Sequence, residues 1–210
     1  MTPIDAIIFD LGGVIINISY DATIQAFSRL CGFDISVLYT QQLQDPLFDN
    51  YETGTLSSDE FRDGIRRLLQ IDCPDDAIDA AWNAMLLDIP ADRIALLEAI
   101  ASQKRIFLLS NTNEIHKTCF DQIFADCYGD EFENISTMFE KAYYSHLMGD
   151  RKPNVSIFQR VIDEQGLDPT QTLFIEDTLR HIEAAKTTGL QTTHLTGGLT
   201  LLDLDLLATR

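Results

Sequence analysis

Basic residues are scarce in this chain. Fifteen Lys and Arg face 33 Asp and Glu, giving a formal charge of -18 and a sequence pI near 4.3. That balance argues against nucleic acid or an anionic membrane as partner, since both require a broad positive surface. Cysteine is sparse too: Cys31, Cys73, Cys119 and Cys127 show no CxxC spacing and fall in mostly helical patterns, so they read as reduced thiols and not as a disulfide framework. No apolar run approaches membrane length, and the N-terminus enters directly on a strand without the basic region, apolar stretch and cleavage site of a secretory leader. A cytoplasmic protein is expected, and no protein partner is predicted.

What is present is enough for one sizeable core and a small accessory domain: 210 residues, 45% of them hydrophobic. Residues 4–9 and 14–18 read as β on their β-branched density, whereas 21–88 carry almost no strand signal. Helices are expected over Asp21–Leu30 and Ile35–Leu43, then from a Ser57/Glu60 capping box through Leu69, with a fourth from Pro74. From Ala91 the pattern alternates. Helices over 92–102, 114–124, 154–165 and 179–188 are interleaved with strands at 105–110, near 142–145, at 172–176 and at 191–195, which implies parallel strands with crossover helices. The fold expected is α/β, a Rossmann-like parallel sheet with helices on both faces, plus a small α-helical cap. Residues 1–17 and 89–210 would form the core, and 18–88 the cap inserted after the first strand.

Chemistry-bearing residues gather at predicted strand ends. Asp10 ends the apolar run Ala6-Ile7-Ile8-Phe9 and precedes Leu11-Gly12-Gly13-Val14. This sets a carboxylate at the mouth of a buried strand, with glycines that let backbone groups approach a phosphate closely. Downstream come Leu108-Leu109-Ser110-Asn111-Thr112, then Arg151-Lys152-Pro153, then Phe174-Ile175-Glu176-Asp177. Asp10, Ser110 and Asp177 all fall at the C-terminal ends of predicted strands, where open α/β sheets bind ligands. In so acidic a chain a small anionic ligand needs local cations and a divalent metal to invert the field. Asp10, Glu176 and Asp177 are a carboxylate set that could hold Mg²⁺.

Together these four segments resemble the haloacid dehalogenase (HAD) superfamily, in its subclass with a small α-helical cap. Phe9-Asp10-Leu11-Gly12-Gly13-Val14 and Ser110-Asn111-Thr112-Asn113 look most like a branch of bacterial sugar-phosphate phosphatases, such as glucose-1-phosphate phosphatase, and like β-phosphoglucomutase-like proteins. The resemblance implies a Mg²⁺-dependent phosphatase of a small phosphorylated metabolite, with a sugar phosphate as the leading class, acting through an aspartyl-phosphate on Asp10. It implies that Ser110 and Asn111 donate hydrogen bonds to the phosphoryl group. Lys152 would neutralise Asp10 and the phosphate oxygens. Mg²⁺ would be held by Asp10, the carbonyl of Gly12 and Asp177, with Glu176 supporting the ligands from behind. Substrate choice would fall to Asn17, Tyr20, Phe48, Tyr51 and Thr112, of which Asn17 and Thr112 are the chosen candidates. Arg151 is expected to face solvent, and His116 and Trp82 to be packing or surface residues.

Two positions depart from the family pattern. Most phosphatases of the superfamily carry an aspartate two residues after the nucleophile as general acid and base; here that residue is Gly12. Either another donor serves, such as Glu176, a cap residue or water, or the leaving group needs little protonation, as in acyl phosphates, phosphoanhydrides or anomeric sugar phosphates. The latter is the reading preferred from sequence. The alternatives are a low-activity or non-catalytic phosphometabolite-binding protein, or a 2-haloacid dehalogenase. His181, four residues after Asp177, replaces the usual Asn or Asp. It would either bond Asp177 or a metal-bound water from the same helix face, or stand exposed in the first turn.

Overall fold

A computed structural model describes residues 3–36 and 46–207. In chain order its elements are β1 (Ala6–Phe9), α1 (Tyr20–Cys31), α2 (Pro46–Glu52), α3 (Ser58–Leu69), α4 (Asp75–Asn83), α5 (Ala91–Ala101), β2 (Arg105–Ser110), α6 (Glu114–Tyr128), β3 (Lys141–Tyr144), α7 (Ser145–Met148), α8 (Val155–Gln165), β4 (Thr172–Glu176), α9 (Leu179–Lys186) and β5 (Gln191–His194). The strands form one parallel sheet in the order β3-β2-β1-β4-β5. β1 is central, and successive crossovers leave it in opposite directions. The crevice at its C-terminal end is therefore the topological switch point, where sheets of this kind bind ligands.

Side chains alternate across the strands and both faces are buried. Ile7, Phe9, Ile106 and Leu108 pack on one side with Ile94 and Leu97 of α5 and Phe120 and Phe124 of α6. Ala6, Ile8, Phe107 and Leu109 pack on the other with Ile157 and Phe158 of α8 and Ile182 of α9. Two-sided burial is why these strands read as continuous apolar runs and not as alternating ones. Helices α1 to α4 share a third apolar cluster around Phe48, Tyr51, Phe61 and Trp82, which Ile115 of α6 enters. α3 opens on the expected capping box, with Ser57 Oγ accepting from Glu60 N and the Glu60 carboxylate from Ser57 N. No helix among the described residues is long and apolar enough to cross a membrane.

The structure differs from the sequence reading in two places, and a third expectation falls mostly outside the described residues. Residues 14–18 are not a strand: they form a turn with isolated bridges Gly12–Ile16 and Ile18–Leu86. Val14, Ile15 and Ile16 are buried, so their β-branched density reflects burial; both ladder positions beside β1 are already taken by β2 and β4. The seven-residue α2 has no counterpart in the sequence reading. The helix expected over Ile35–Leu43 falls mostly outside the described residues, and Ile35 and Ser36 are not helical.

Candidate active site

Asp10 follows β1 directly, and its backbone N–H bonds the Ile175 carbonyl of β4. Lys152 Nζ, fully buried, lies 2.7 Å from Asp10 Oδ1 and 2.7 Å from Glu176 Oε2. Glu176 is committed on both oxygens. Oε2 also accepts from His181 Nδ1 at 3.0 Å, and Oε1 accepts from the backbone N–H groups of Asp177 and Thr178, each at 3.2 Å. It thereby fixes both Lys152 and the chain that carries Asp177. Asp177 is held further by Thr178 Oγ1, and its backbone carbonyl lies 2.9 Å from His194 Nε2.

The charges are unequal. Burial, and next the Glu176 carboxylate, push Asp10 up to about 7 against the pull of Lys152. For Glu176, burial is outweighed by Lys152 and His181 and its carboxyl lies below the usual range. Burial would lower Lys152, yet the two carboxylates hold it above its ordinary value. Asp177 is raised by burial and by Asp10. Oxygen atoms of Asp10, Glu176 and Asp177 all lie within 4.8 Å of one another. An all-carboxylate donor set suits a hard divalent cation, and the mutual repulsion that adds to burial in raising Asp10 and Asp177 is what such a cation relieves.

The loop after β2 completes the wall. Ser110 is buried at the cavity. Asn111 clamps the lysine segment in both directions, its Nδ2 donating to the Lys152 carbonyl at 2.8 Å and its Oδ1 accepting from Lys152 N at 2.9 Å. One amide hydrogen of Asn111 is thus spent on positioning Lys152. Thr112 lines the cavity and is pinned by Ser145 Oγ, which accepts from its N–H and donates to its carbonyl. Gly13 has φ +73°, and a Cβ there would come within 2.2 Å of Asp177 Oδ2. Its missing side chain makes room for that carboxylate, where the sequence reading assigned the glycines to phosphate approach.

Several candidates stand elsewhere or differently. Asn17 bonds Asp88 Oδ1 and is absent from the cavity wall. Phe48 and Tyr51 belong to the α1–α4 cluster, whereas Tyr20 does line the cavity. Arg151 is buried, not solvent-facing: its guanidinium pairs with Asp49 and Glu52 of α2. His181 is buried and bonds Glu176, not Asp177, because Nδ1 turns to the carboxylate already paired with Lys152; its Nε2 has no hydrogen-bond partner among the described residues. Trp82 and His116 are buried and stacked 4.5 Å apart, and His116 reaches the cavity wall. Glu52, Ser145 and His194 were not singled out from sequence, since tertiary contact alone brings them to the site.

A central switch-point crevice gathers Asp10, a buried lysine and an acidic pair in a parallel α/β fold. The family model of haloacid dehalogenase-like hydrolases matches residues 4–189, and the chain belongs to that family. It is 28% identical over 188 residues to a D-ribitol-5-phosphate phosphatase of Bacteroides thetaiotaomicron, covering 89% of each chain. A HAD family enzyme of the same organism, in complex with magnesium and inorganic phosphate, is similar at a TM-score of 0.82 and 32% identity over 96% of this chain and 99% of that one. A HAD-like family hydrolase from Porphyromonas gingivalis gives 0.81 and 29%, covering 93% of each.

Proposed function

We propose that this protein is a Mg²⁺-dependent phosphatase of a small phosphorylated metabolite, a sugar or sugar-alcohol phosphate, working through an aspartyl-phosphate on Asp10. The observation that carries the reading is the buried Lys152 ammonium bridging Asp10 and Glu176 beside Asp177. Relatives with a phosphatase name and a magnesium-phosphate complex support it.

Asp10 attacks phosphorus in line, the leaving oxygen departs with its carbon chain, and water then hydrolyses the aspartyl-phosphate. Lys152 holds Asp10 in place and offers positive charge to the phosphoryl oxygens. The Ser110 hydroxyl and the remaining Asn111 amide hydrogen bind those oxygens. Asp10, Asp177 and the Gly12 carbonyl would hold the metal, with Glu176 orienting its neighbours. Bound there, Mg²⁺ supplies charge that stabilises the transferring phosphoryl group. Helices α1 to α4, within 18–88, act as the cap over a core of 1–17 and 89–210. Tyr20 and Thr112 face the substrate. A cytoplasmic setting belongs to the same reading, in keeping with four free thiols.

Phosphate release from ribitol 5-phosphate and other sugar, acyl, nucleotide and aryl phosphates tests the proposal, with Mg²⁺ and with EDTA, beside Asp10→Asn. Release that needs both the metal and Asp10 is expected. Binding without release in folded, metal-loaded protein would move the assignment to a phosphometabolite-binding protein.

A further inference from the structure

With Asp10 as the attacking group, as proposed above, in-line displacement expels the leaving oxygen on the side away from Asp10. Gly12 offers no carboxyl to protonate it there. Four other titratable groups of the cavity are poorly suited. Asp177 and Lys152 come from the same sheet edge as the nucleophile; Lys152 is paired with it, and an Asp177 oxygen lies within 4.8 Å of its carboxylate. Both ring nitrogens of His116 are occupied, by Asn113 Nδ2 and the Trp82 carbonyl. His181 gives its Nδ1–H to Glu176, so the neutral ring has only a lone pair left at Nε2.

The helical segment 18–88 also lines the cavity. Its described wall residues are Ile18, Tyr20, Glu52, Met85 and Leu86, and Glu52 is the one carboxyl among them. The Glu52 side chain is 12% exposed. Its buried Oε2 accepts no hydrogen bond among the described residues, yet lies 3.1 Å from Arg151 Nη2. A carboxyl whose buried Oε2 accepts no hydrogen bond among the described residues, paired with a guanidinium that can stabilise its negative charge, suits a group that must lose and regain a proton.

We propose that Glu52 is the acid–base residue of this phosphatase, delivered by the cap in place of the missing side chain at position 12. In the first step the Asp10–phosphorus bond forms, the bond from phosphorus to the leaving oxygen breaks, and the Glu52 proton goes to that oxygen. The resulting carboxylate is stabilised by Arg151. In the second step Glu52 takes a proton from water as the water oxygen bonds phosphorus and the Asp10–phosphorus bond breaks, which restores both carboxyls. Burial raises Glu52, and Asp49 adds to this, against the opposing charges of Arg151, Arg180 and Lys152. The first step uses the protonated form of Glu52, which that upward direction favours. Simple alkyl phosphates are then substrates, and a good leaving group is not required.

Glu52→Gln, compared with wild type on ribitol 5-phosphate and 4-nitrophenyl phosphate, tests this. An unassisted alkoxide is the harder group to expel, so the loss on the alkyl ester should be about 10²- to 10⁴-fold and should exceed the loss on the aryl ester at least tenfold. The basic limb of the wild-type pH profile should disappear, and Glu52→Asp should recover part of the alkyl rate. A thermal shift with Mg²⁺ and inorganic phosphate, equal in wild type and variant, shows that the variant folds and binds. Equal losses on the two esters, or no loss, would overturn the acid–base role. Absence of Asp10-dependent release from either ester would overturn the phosphatase reading, and this proposal with it.

Discussion

Two adjacent glycines do different work. At Gly13 the backbone is left-handed and Asp177 Oδ2 occupies the place of a side chain; at Gly12 a Cβ would meet only the Ile18 side chain, at 3.4 Å. Gly13→Ala should therefore cost at least about 1–2 kcal/mol from backbone conformation alone, and should displace Asp177. Gly12→Ala should cost under about 1 kcal/mol. Thermal unfolding with and without Mg²⁺ separates them: the Gly13 variant should lose both stability and the metal-dependent shift. A full metal shift in Gly13→Ala would show that Asp177 does not depend on that gap. At this scale Asp10, Lys152, Glu176 and Asp177 were legible in sequence because each lies in its own short strand-end or pre-proline motif. Arg151 was misread because its partner Asp49 is 102 residues away, and no local pattern announces such a pair.

Between elements, Asn113 helps tie α4 to α6, beside the contacts of His116 with Trp82. The Asn113 Oδ1 accepts from His116 N as the helix N-cap and from Trp82 Nε1, while its Nδ2 meets His116 Nδ1. Removing an N-cap costs about 1 kcal/mol, and orphaning a buried indole N–H about 1–3 more. Asn113→Ala should thus lose about 2–4 kcal/mol in denaturant unfolding, and a loss below about 1 kcal/mol would show that the tie carries little. Elements with a strong period were readable: β2 and β4 occupy the expected residues, and α3 begins at its capping box. The failures share a cause. Val14-Ile15-Ile16 and the short α2 take their conformations from the surfaces they pack on, and a local window sees composition without those surfaces.

For the whole molecule, His116 links stability to acid. Burial, only partly offset by the Trp82 carbonyl, lowers its pKa to about 4, against roughly 6.5 when unfolded. The unfolded chain then binds the proton more readily. The His116 contribution to stability is complete above about pH 6.5 and is lost as pH falls toward 4, by up to about 3 kcal/mol, while Asp10, raised to about 7, acts in the opposite sense over the same range. His116→Phe keeps an aromatic ring against Trp82, and Thr23 Oγ1 still donates to the Trp82 carbonyl. The difference in stability between wild type and this variant should therefore shrink as the pH is lowered over that range. A pH-independent difference would mean that the imidazole titrates normally.

That same stack gives the protein a built-in optical probe. The chain contains one tryptophan, so all indole emission comes from Trp82, lying face to face with a histidine whose edge borders the cavity. Because a protonated imidazole quenches a stacked indole, the emission reports the charge of His116 directly. Its colour and intensity also report any ligand that disturbs the ring, so cavity occupancy and acid titration can be followed on the unlabelled, unmodified chain.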